Sequence, residues 1–337
     1  MKNYDVVIIG GGPAGLNCAK HLSNKSALIL EKEKQLGKKV CAAGLTKKAI
    51  NYLNLPEYIY DVKFKKAIFH TRLITSQTQS NEAFVATIDR IKLAKWQAGK
   101  IGSAELRINS EVTGITKDYV IINNKEKIFY KYLVGADGPN SLVRKFLGIK
   151  TSKIGIGIHY LIKTDKYKQI EGYLDSALFN SGYAWIFPHK EYVSIGCFAN
   201  PKVLSADKLK KNFQIWLKKN KIDYSKGLFE SCPINFDYNG YKFGNVFLTG
   251  DAAGLASPLT GEGIYQALIS GEEVAKCIMS PKYNSEAMEK LIRHHWHHEM
   301  VSNILIKSWH LREIFFFLSA LALRSKRLAK FGLKHFG

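Results

Sequence analysis

The residues Gly10-Gly11-Gly12-Pro13-Ala14-Gly15 form a G-x-G-x-x-G turn, the pattern that brings backbone N–H groups within reach of a pyrophosphate. Gly10 permits the tight turn, Gly12 lacks the Cβ that would hold a phosphate away, and Gly15 lets the following helix pack closely. Glu31 follows about twenty residues later, where an acid takes a ribose hydroxyl. Two further turns carry acids at the ends of apolar runs: Gly135-Ala136-Asp137-Gly138 and Gly250-Asp251. Open α/β sheets bind ligands at such strand ends, and Asp251 is placed to accept from a ribose or ribityl hydroxyl. Ser141 and Arg144, opening the helix after Asp137, make that turn a second phosphate-facing one. The N–H groups of Gly261, Glu262 and Gly263 open another helix and can face the electron-rich edge of a flat ring. Arg90 stands at a strand-to-helix junction, within reach of a phosphate. In the run His294-His295-Trp296-His297-His298, a helix would put the first and last on one face. No carboxylate lies inside that spacing as a zinc peptidase requires, so a solvated or interfacial helix is expected and no metal site.

Strands and helices must place these residues. Val6-Val7-Ile8-Ile9 is a short apolar run bounded by glycines and reads as a buried parallel strand feeding the first turn. A helix follows to about Leu22, and a second apolar run at 27–30 ends at Glu31. A small-residue loop at 37–45 is flanked by lysines and leads into a helix at 46–53. Strands are expected at 62–69 and 84–88, then a helix after Asp89-Arg90. Further β runs at 111–116, 120–122 and 128–134 lead to the Asp137 turn. From about 151 to 236 the character changes. Short β runs at 154–162, 183–187 and 192–197, with one lysine-rich helix at 205–219, describe an antiparallel sheet inserted in an α/β frame. The frame returns at 245–254 and continues into a helix ending near Met279. Tyr183 and Trp185 share one face of their strand, since strand side chains alternate, and would shape a flat apolar tunnel.

The chain has 337 residues, 46% of them hydrophobic, enough for a sizeable core. Its five cysteines include no C-x-x-C pair and are odd in number, which favours free thiols in a reducing compartment. No signal peptide is read at the N-terminus, and no run approaches the roughly 18 apolar residues of a spanning helix. The net charge of +22 favours anionic partners. Its lysines are spread along the chain without a nucleic-acid-binding motif, so a lipid-phosphate surface or plain compositional bias is preferred over nucleic acid.

Together the three turns resemble the signature of the flavoprotein hydroxylase superfamily, of the para-hydroxybenzoate hydroxylase type. Within it the chain is most similar to the geranylgeranyl reductase family. Tyr183-Ala184-Trp185-Ile186-Phe187-Pro188 resembles that family's Y-x-W-x-F-P motif, and Lys39-Val40-Cys41-Ala42-Ala43-Gly44-Leu45 its K-x-C-x-x-G-L loop. Arg90 with Leu93 and Trp96, and the stretch 258–264, match two further segments. The chain departs from the pattern in three places. Ala42-Ala43 replace glycines beside the loop cysteine, Ala94 replaces an acid, and Phe198 stands where the G-x-G after the proline motif has its second glycine.

The resemblance implies an α/β (α+β) architecture: a Rossmann-like FAD-binding domain from 1–60, 80–150 and 240–280, an inserted antiparallel-sheet substrate domain from 61–79 and 151–239, and C-terminal helices at 281–337. It implies FAD contacts at Gly10, Gly12, Pro13, Ala14, Gly15, Glu31, Lys32, Lys39, Ala43, Gly44, Arg90, Val112, Asp137, Gly250, Asp251, Gly261, Glu262, Gly263 and Ile264. Cys41, Tyr183 and Trp185 become the catalytic candidates, with Cys41 on a proton route or holding an alkene near the flavin. The implied reaction is saturation of C=C bonds in a geranylgeranyl or polyprenyl lipid; an oxygen-using aromatic hydroxylase is the alternative on the same frame. No second G-x-G-x-x-G exists for a resident nicotinamide, so NAD(P)H by transient docking, or reduced ferredoxin, is the expected donor. The apolar stretch 314–323, followed by Arg324, Lys326, Arg327, Lys330 and Lys334, reads as an amphipathic membrane contact. A monomer in the cytoplasm, peripheral to the inner face of the membrane, is the expected state.

Overall fold

In the computed structural model, which describes residues 2–325, the first strand, Lys2–Ile9, lies inside an eight-stranded sheet. Val6, Val7, Ile8 and Ile9 are all buried, as a parallel strand covered on both faces must be. The strand pairs in parallel with Glu126–Gly135 on one side and Ala27–Leu30 on the other; Val246–Leu248 and Glu105–Arg107 extend the parallel array outward. An antiparallel appendage of Tyr119–Ile122 and Val112–Ile115 joins at Glu126–Gly135. The helix Pro13–Lys20 packs against the helix Ile264–Met279 so closely that a Cβ on Gly271 would lie 2.3 Å from the Ala14 carbonyl oxygen.

A second, seven-stranded sheet runs in the order Leu228–Asn235, Ile154–Ile162, Val193–Ala199, Tyr183–Pro188, Ile170–Leu174, Lys66–Thr71, Thr75–Gln79. All its pairings are antiparallel except that of Ile170–Leu174 with Lys66–Thr71. The helix Ala206–Lys219 buries Leu209, Phe213 and Trp216 against one face, on Ala184, Ile186, Ile195 and Cys197. A three-stranded sheet is formed by Gly44–Thr46, Val85–Ile88 and Tyr60–Phe64, with Val85–Ile88 in the middle.

The single strand expected at 62–69 is two strands in different sheets, Tyr60–Phe64 and Lys66–Thr71. A bend at Lys65 carries the chain from one sheet to the other, and continuous apolar character does not register such a bend. Thr75–Gln79 goes unread because Ser76 and Thr78, not apolar residues, occupy its buried positions. Ile170–Leu174 and Leu228–Asn235 are likewise strands that the short-run reading omits.

The chain then forms the helices Glu286–Lys307 and Trp309–Ala322. The histidine run lies on a helix with one face to solvent and one to the core: Trp296 and His297 are exposed, while His295 and His298 are buried, and among the described residues no cluster suits a metal ion. The last helix packs Phe316 and Ala320 inward, while Arg324 donates to the Thr75 carbonyl at 3.0 Å and so caps the free edge of the second sheet. Lys326, Arg327, Lys330 and Lys334 lie outside the described residues.

Candidate cofactor and substrate site

At the first turn Gly10 has φ +107°, and a Cβ there would lie 2.3 Å from the Ala136 carbonyl oxygen. This close approach joins the first turn to the Asp137 turn. Gly12 precedes the helix Pro13–Lys20 with no side-chain cap, and a Cβ built on it meets nothing within 4 Å. The α-carbon of Gly12 therefore faces open space at a helix N-terminus, the arrangement that takes a phosphate. Glu31 accepts from the Gly11 amide at 2.7 Å and from the Glu33 amide at 2.9 Å, which places its carboxylate beside the turn.

Asp137 accepts from the Leu142 amide at 2.6 Å with one oxygen, while its other oxygen is buried without a partner. Burial pushes its carboxyl upward, against the pull of Ser141 and the nearby amides. Arg144 does not face this turn. It is turned inward, donating to the Asp237 carbonyl at 2.6 Å and lying 3.5 Å from the Asp237 carboxylate. Gly37 lies against the Arg90 backbone, and the Arg90 Nε is also buried without a partner. An open glycine turn, an orphaned guanidinium nitrogen and an orphaned carboxyl oxygen fit a phosphate-bearing dinucleotide such as FAD. Gly250 packs its α-carbon face against Ala14 and Ala267, so the third turn joins the first two.

The loop at 39–45 meets the third turn through Lys39, whose Nζ lies 2.6 Å from Asp251 Oδ2. Burial alone would lower the Lys39 ammonium; Asp251, with Cys232 and Cys41 adding to it, raises it instead. Thr46 donates to Glu262 at 2.7 Å, and burial raises the Glu262 carboxyl. Gly263 caps the helix Ile264–Met279, whose first residue is buried beside Ala43 and Leu45. Ala43 adopts φ +54°, the left-handed region where glycine is the unstrained choice. The Ala43 amide donates to Cys41 Sγ at 3.3 Å.

Facing these loops is the open side of the second sheet. Tyr183, Trp185 and Phe187 alternate onto it, with ring centroids 6.0 and 6.2 Å apart along the strand. The Tyr183 hydroxyl donates to the Thr260 carbonyl at 2.5 Å, and burial pushes its pKa up. A Cβ on Gly44 would lie 2.8 Å from the Phe187 ring, and one on Gly261 3.7 Å from Phe198 and from the Tyr183 hydroxyl. The wall thus touches both the cysteine loop and the third turn. Trp185 lies over Gly196 and donates to Ser194 Oγ at 3.1 Å; Ser194 meets His159 Nδ1 at 2.8 Å, and His159 Nε2 meets Glu230 at 3.0 Å.

Two groups of expected residues are brought together: Gly10, Gly12, Pro13, Ala14, Gly15, Glu31, Asp137 and Gly250 at the turns, and Lys39, Cys41, Ala43, Gly44, Tyr183, Trp185, Asp251, Gly261, Glu262, Gly263 and Ile264 around the loops and wall. Lys32 is exposed and joins neither. The Val112 side chain is buried in the core of the first sheet, which leaves only its backbone for a ligand. The wall also contains Phe187, Phe198 and Phe236, none of them among the expected site residues. Continuing the alternation of Tyr183 and Trp185 by one step reaches Phe187. Phe198 fills the space over Gly155, where a Cβ would lie 2.3 Å from its ring, so the departure at 198 is matched by a glycine on the neighbouring strand.

A glycine-turned dinucleotide cradle beside an inserted antiparallel sheet defines an FAD-dependent oxidoreductase. Residues 4–171 match the family described as pyridine nucleotide-disulphide oxidoreductase. An uncharacterized protein of Methanosarcina barkeri is 30% identical over 86% of this chain and 79% of its own length. Digeranylgeranylglycerophospholipid reductase of Methanosarcina acetivorans is 27% identical over 91% of this chain and 85% of its own. The crystal structure of a geranylgeranyl bacteriochlorophyll reductase-like protein from Thermoplasma acidophilum superposes with a TM-score of 0.81 at 22% identity, covering 96% of this chain and 92% of that one. The chain belongs to the geranylgeranyl reductase family of FAD-dependent oxidoreductases.

Proposed function

We propose that the protein reduces C=C bonds of a geranylgeranyl or longer polyprenyl lipid. The observation that carries this reading is the aromatic wall of Tyr183, Trp185, Phe187 and Phe198, set directly against the Cys41 loop and the Gly261 turn. Segments 1–60, 80–150 and 240–280 would hold the cofactor, segments 61–79 and 151–239 the lipid, and 281–337 the surface contact. Gly12, Glu31, Arg90, Asp137 and Asp251 would hold FAD, which when reduced supplies the hydride. The wall excludes water and aligns a flat apolar chain, which a polar or charged lining would not do. Cys41 stands beside that wall and would hold the alkene or pass a proton to the second carbon. NAD(P)H or a reduced ferredoxin would reload the flavin.

A lipid of this class does not arrive through water, and the last two helices supply a surface for meeting it. Trp296, Met300 and Ile304 form an exposed stripe on one helix, and Trp309, Ile314 and Leu318 are exposed on the next. No helix among the described residues is long and apolar enough to cross a membrane. An apolar stripe on a basic chain suits peripheral contact with an anionic bilayer. The deciding experiment is anaerobic reduction of the purified flavoprotein followed by mixing with a geranylgeranyl lipid. Reoxidation without oxygen, with a product two mass units heavier per bond (the mass of the added hydrogens), supports the reductase. Reoxidation that needs oxygen and adds an oxygen atom to a phenol overturns it in favour of the hydroxylase.

A further inference from the structure

The Cys41 loop is held from below by a buried pair that the proposed chemistry leaves unassigned. His189 follows directly on the strand Tyr183–Pro188, and its side chain is 1% exposed. One ring nitrogen meets Asp61 Oδ2 at 2.8 Å, and the other meets the Ala42 carbonyl at 3.2 Å. The ring is thus held between the Asp61 carboxyl group and a loop carbonyl. Tyr192 stacks on the ring at 4.3 Å, and Thr87 fixes the preceding Pro188 carbonyl at 2.7 Å, so the imidazole has little freedom.

The next peptide is fixed as well. The Ala43 carbonyl accepts from the Ile88 amide at 3.1 Å, and Ala43 itself is held at φ +54°. With Ala42 pinned by His189 and Ala43 by Ile88, the Ala43 amide points at Cys41 Sγ. A buried hydrogen-bonded pair adds little net stability compared with apolar residues of the same shape, so its placement against one loop carbonyl bears on orientation more than on folding. We propose that His189, backed by Asp61, is a positioning residue that sets the place of the Cys41 thiol at the aromatic wall. The role rests on the reductase reading above; the orientation of the thiol can be measured without it.

The test uses the full chain with FAD bound and Cys232→Ser, which leaves Cys41 as the cysteine that is not buried. Iodoacetamide alkylation of Cys41 is followed by mass spectrometry, with amide exchange read at residues 42–45. His189→Phe should speed alkylation about tenfold and raise amide exchange at 43 and 44, matching the loss of one hydrogen bond. Asp61→Asn should move both in the same direction by about threefold, since one acceptor remains; it decides the matter if His189→Phe does not keep its flavin. With a geranylgeranyl lipid, kcat should fall about tenfold in His189→Phe while KM stays within about twofold. Alkylation and exchange unchanged in both variants, with only the thermal midpoint lowered, would show the pair to be purely structural. Wild-type protein that turns over no lipid overturns the reductase reading, and the alkylation result still decides the positioning of the thiol.

Discussion

The glycine-turned cradle and the aromatic wall of this molecule are built from opposite materials. The FAD cradle is backbone: Gly10 and Gly15 stand where a Cβ would lie 2.3 and 2.0 Å from carbonyl oxygens, and Gly12 leaves open space where a side chain would stand. The wall facing it is side chain: Trp185 lies over Gly196, and Phe198 over Gly155. In the cradle a contact is lost with any added atom. Across the wall, bulk on one strand is traded against a glycine on the next, so the shape can be redrawn in pairs. A fixed cradle and an adjustable wall follow from that difference.

The sharpest way to test the contrast is Gly12→Val. Nothing lies within 4 Å of the built Cβ, so the FAD-free chain should fold with an unchanged thermal midpoint. Flavin affinity should fall by about a thousandfold or more, as several amide–phosphate hydrogen bonds are blocked together; flavin absorbance after purification reads this directly. Trp185→Phe attacks the other surface. It should leave flavin content intact, cost about 1 kcal/mol through the lost bond to Ser194, and slow lipid-driven reoxidation about tenfold. Urea midpoints and anaerobic stopped flow separate the two effects.

Acidity gives a smaller effect. Burial holds His159 and His295 below the ordinary histidine value of 6.5, with Glu230 and Glu299 respectively opposing the shift. The unfolded chain therefore takes up protons near that value while the folded chain does not. Their contribution is complete above the unfolded value and is lost as pH falls through the folded one. Together they should remove about 1 kcal/mol between pH 7 and pH 6. His295→Leu should show roughly half that loss in urea titrations at the two pH values, and the difference from wild type isolates the histidine. The smallest effect belongs to Ala43→Gly. Relief of left-handed strain, less the added entropy of glycine in the unfolded chain, should raise stability by about 0.5 kcal/mol. An unchanged or lowered midpoint would mean that the methyl group packs well enough to offset its strain.

What could be read from the sequence divides along the same line. A turn that demands glycine leaves that glycine in place, so the three turns and the acids Glu31, Asp137 and Asp251 stand out by type and spacing. The second sheet depends on pairing between distant segments. Lys65 bends one apolar run into two sheets, and the buried faces of Thr75–Gln79 are Ser76 and Thr78, so hydrophobic period could not find them. Phe198 was visible only as an oddity, since its meaning lies with Gly155 about forty residues away. His295 and His298 look solvent-facing by residue type; only the docking of their helix on the core buries them.

That helix, Glu286–Lys307, has a consequence of its own. Trp296, Met300 and Ile304 point outward, while on the opposite side His298 meets Ser257 at 2.7 Å and Ser302 meets the Pro258 carbonyl at 3.4 Å. Ser257 in turn accepts from the Thr260 amide at 3.0 Å, and Thr260 holds the Tyr183 hydroxyl. The helix therefore has one face at the surface and the other on the loop that carries Thr260. Only one helix diameter, about 10 Å, separates them. The outer stripe and Thr260 are thus joined through two side chains, His298 and Ser257.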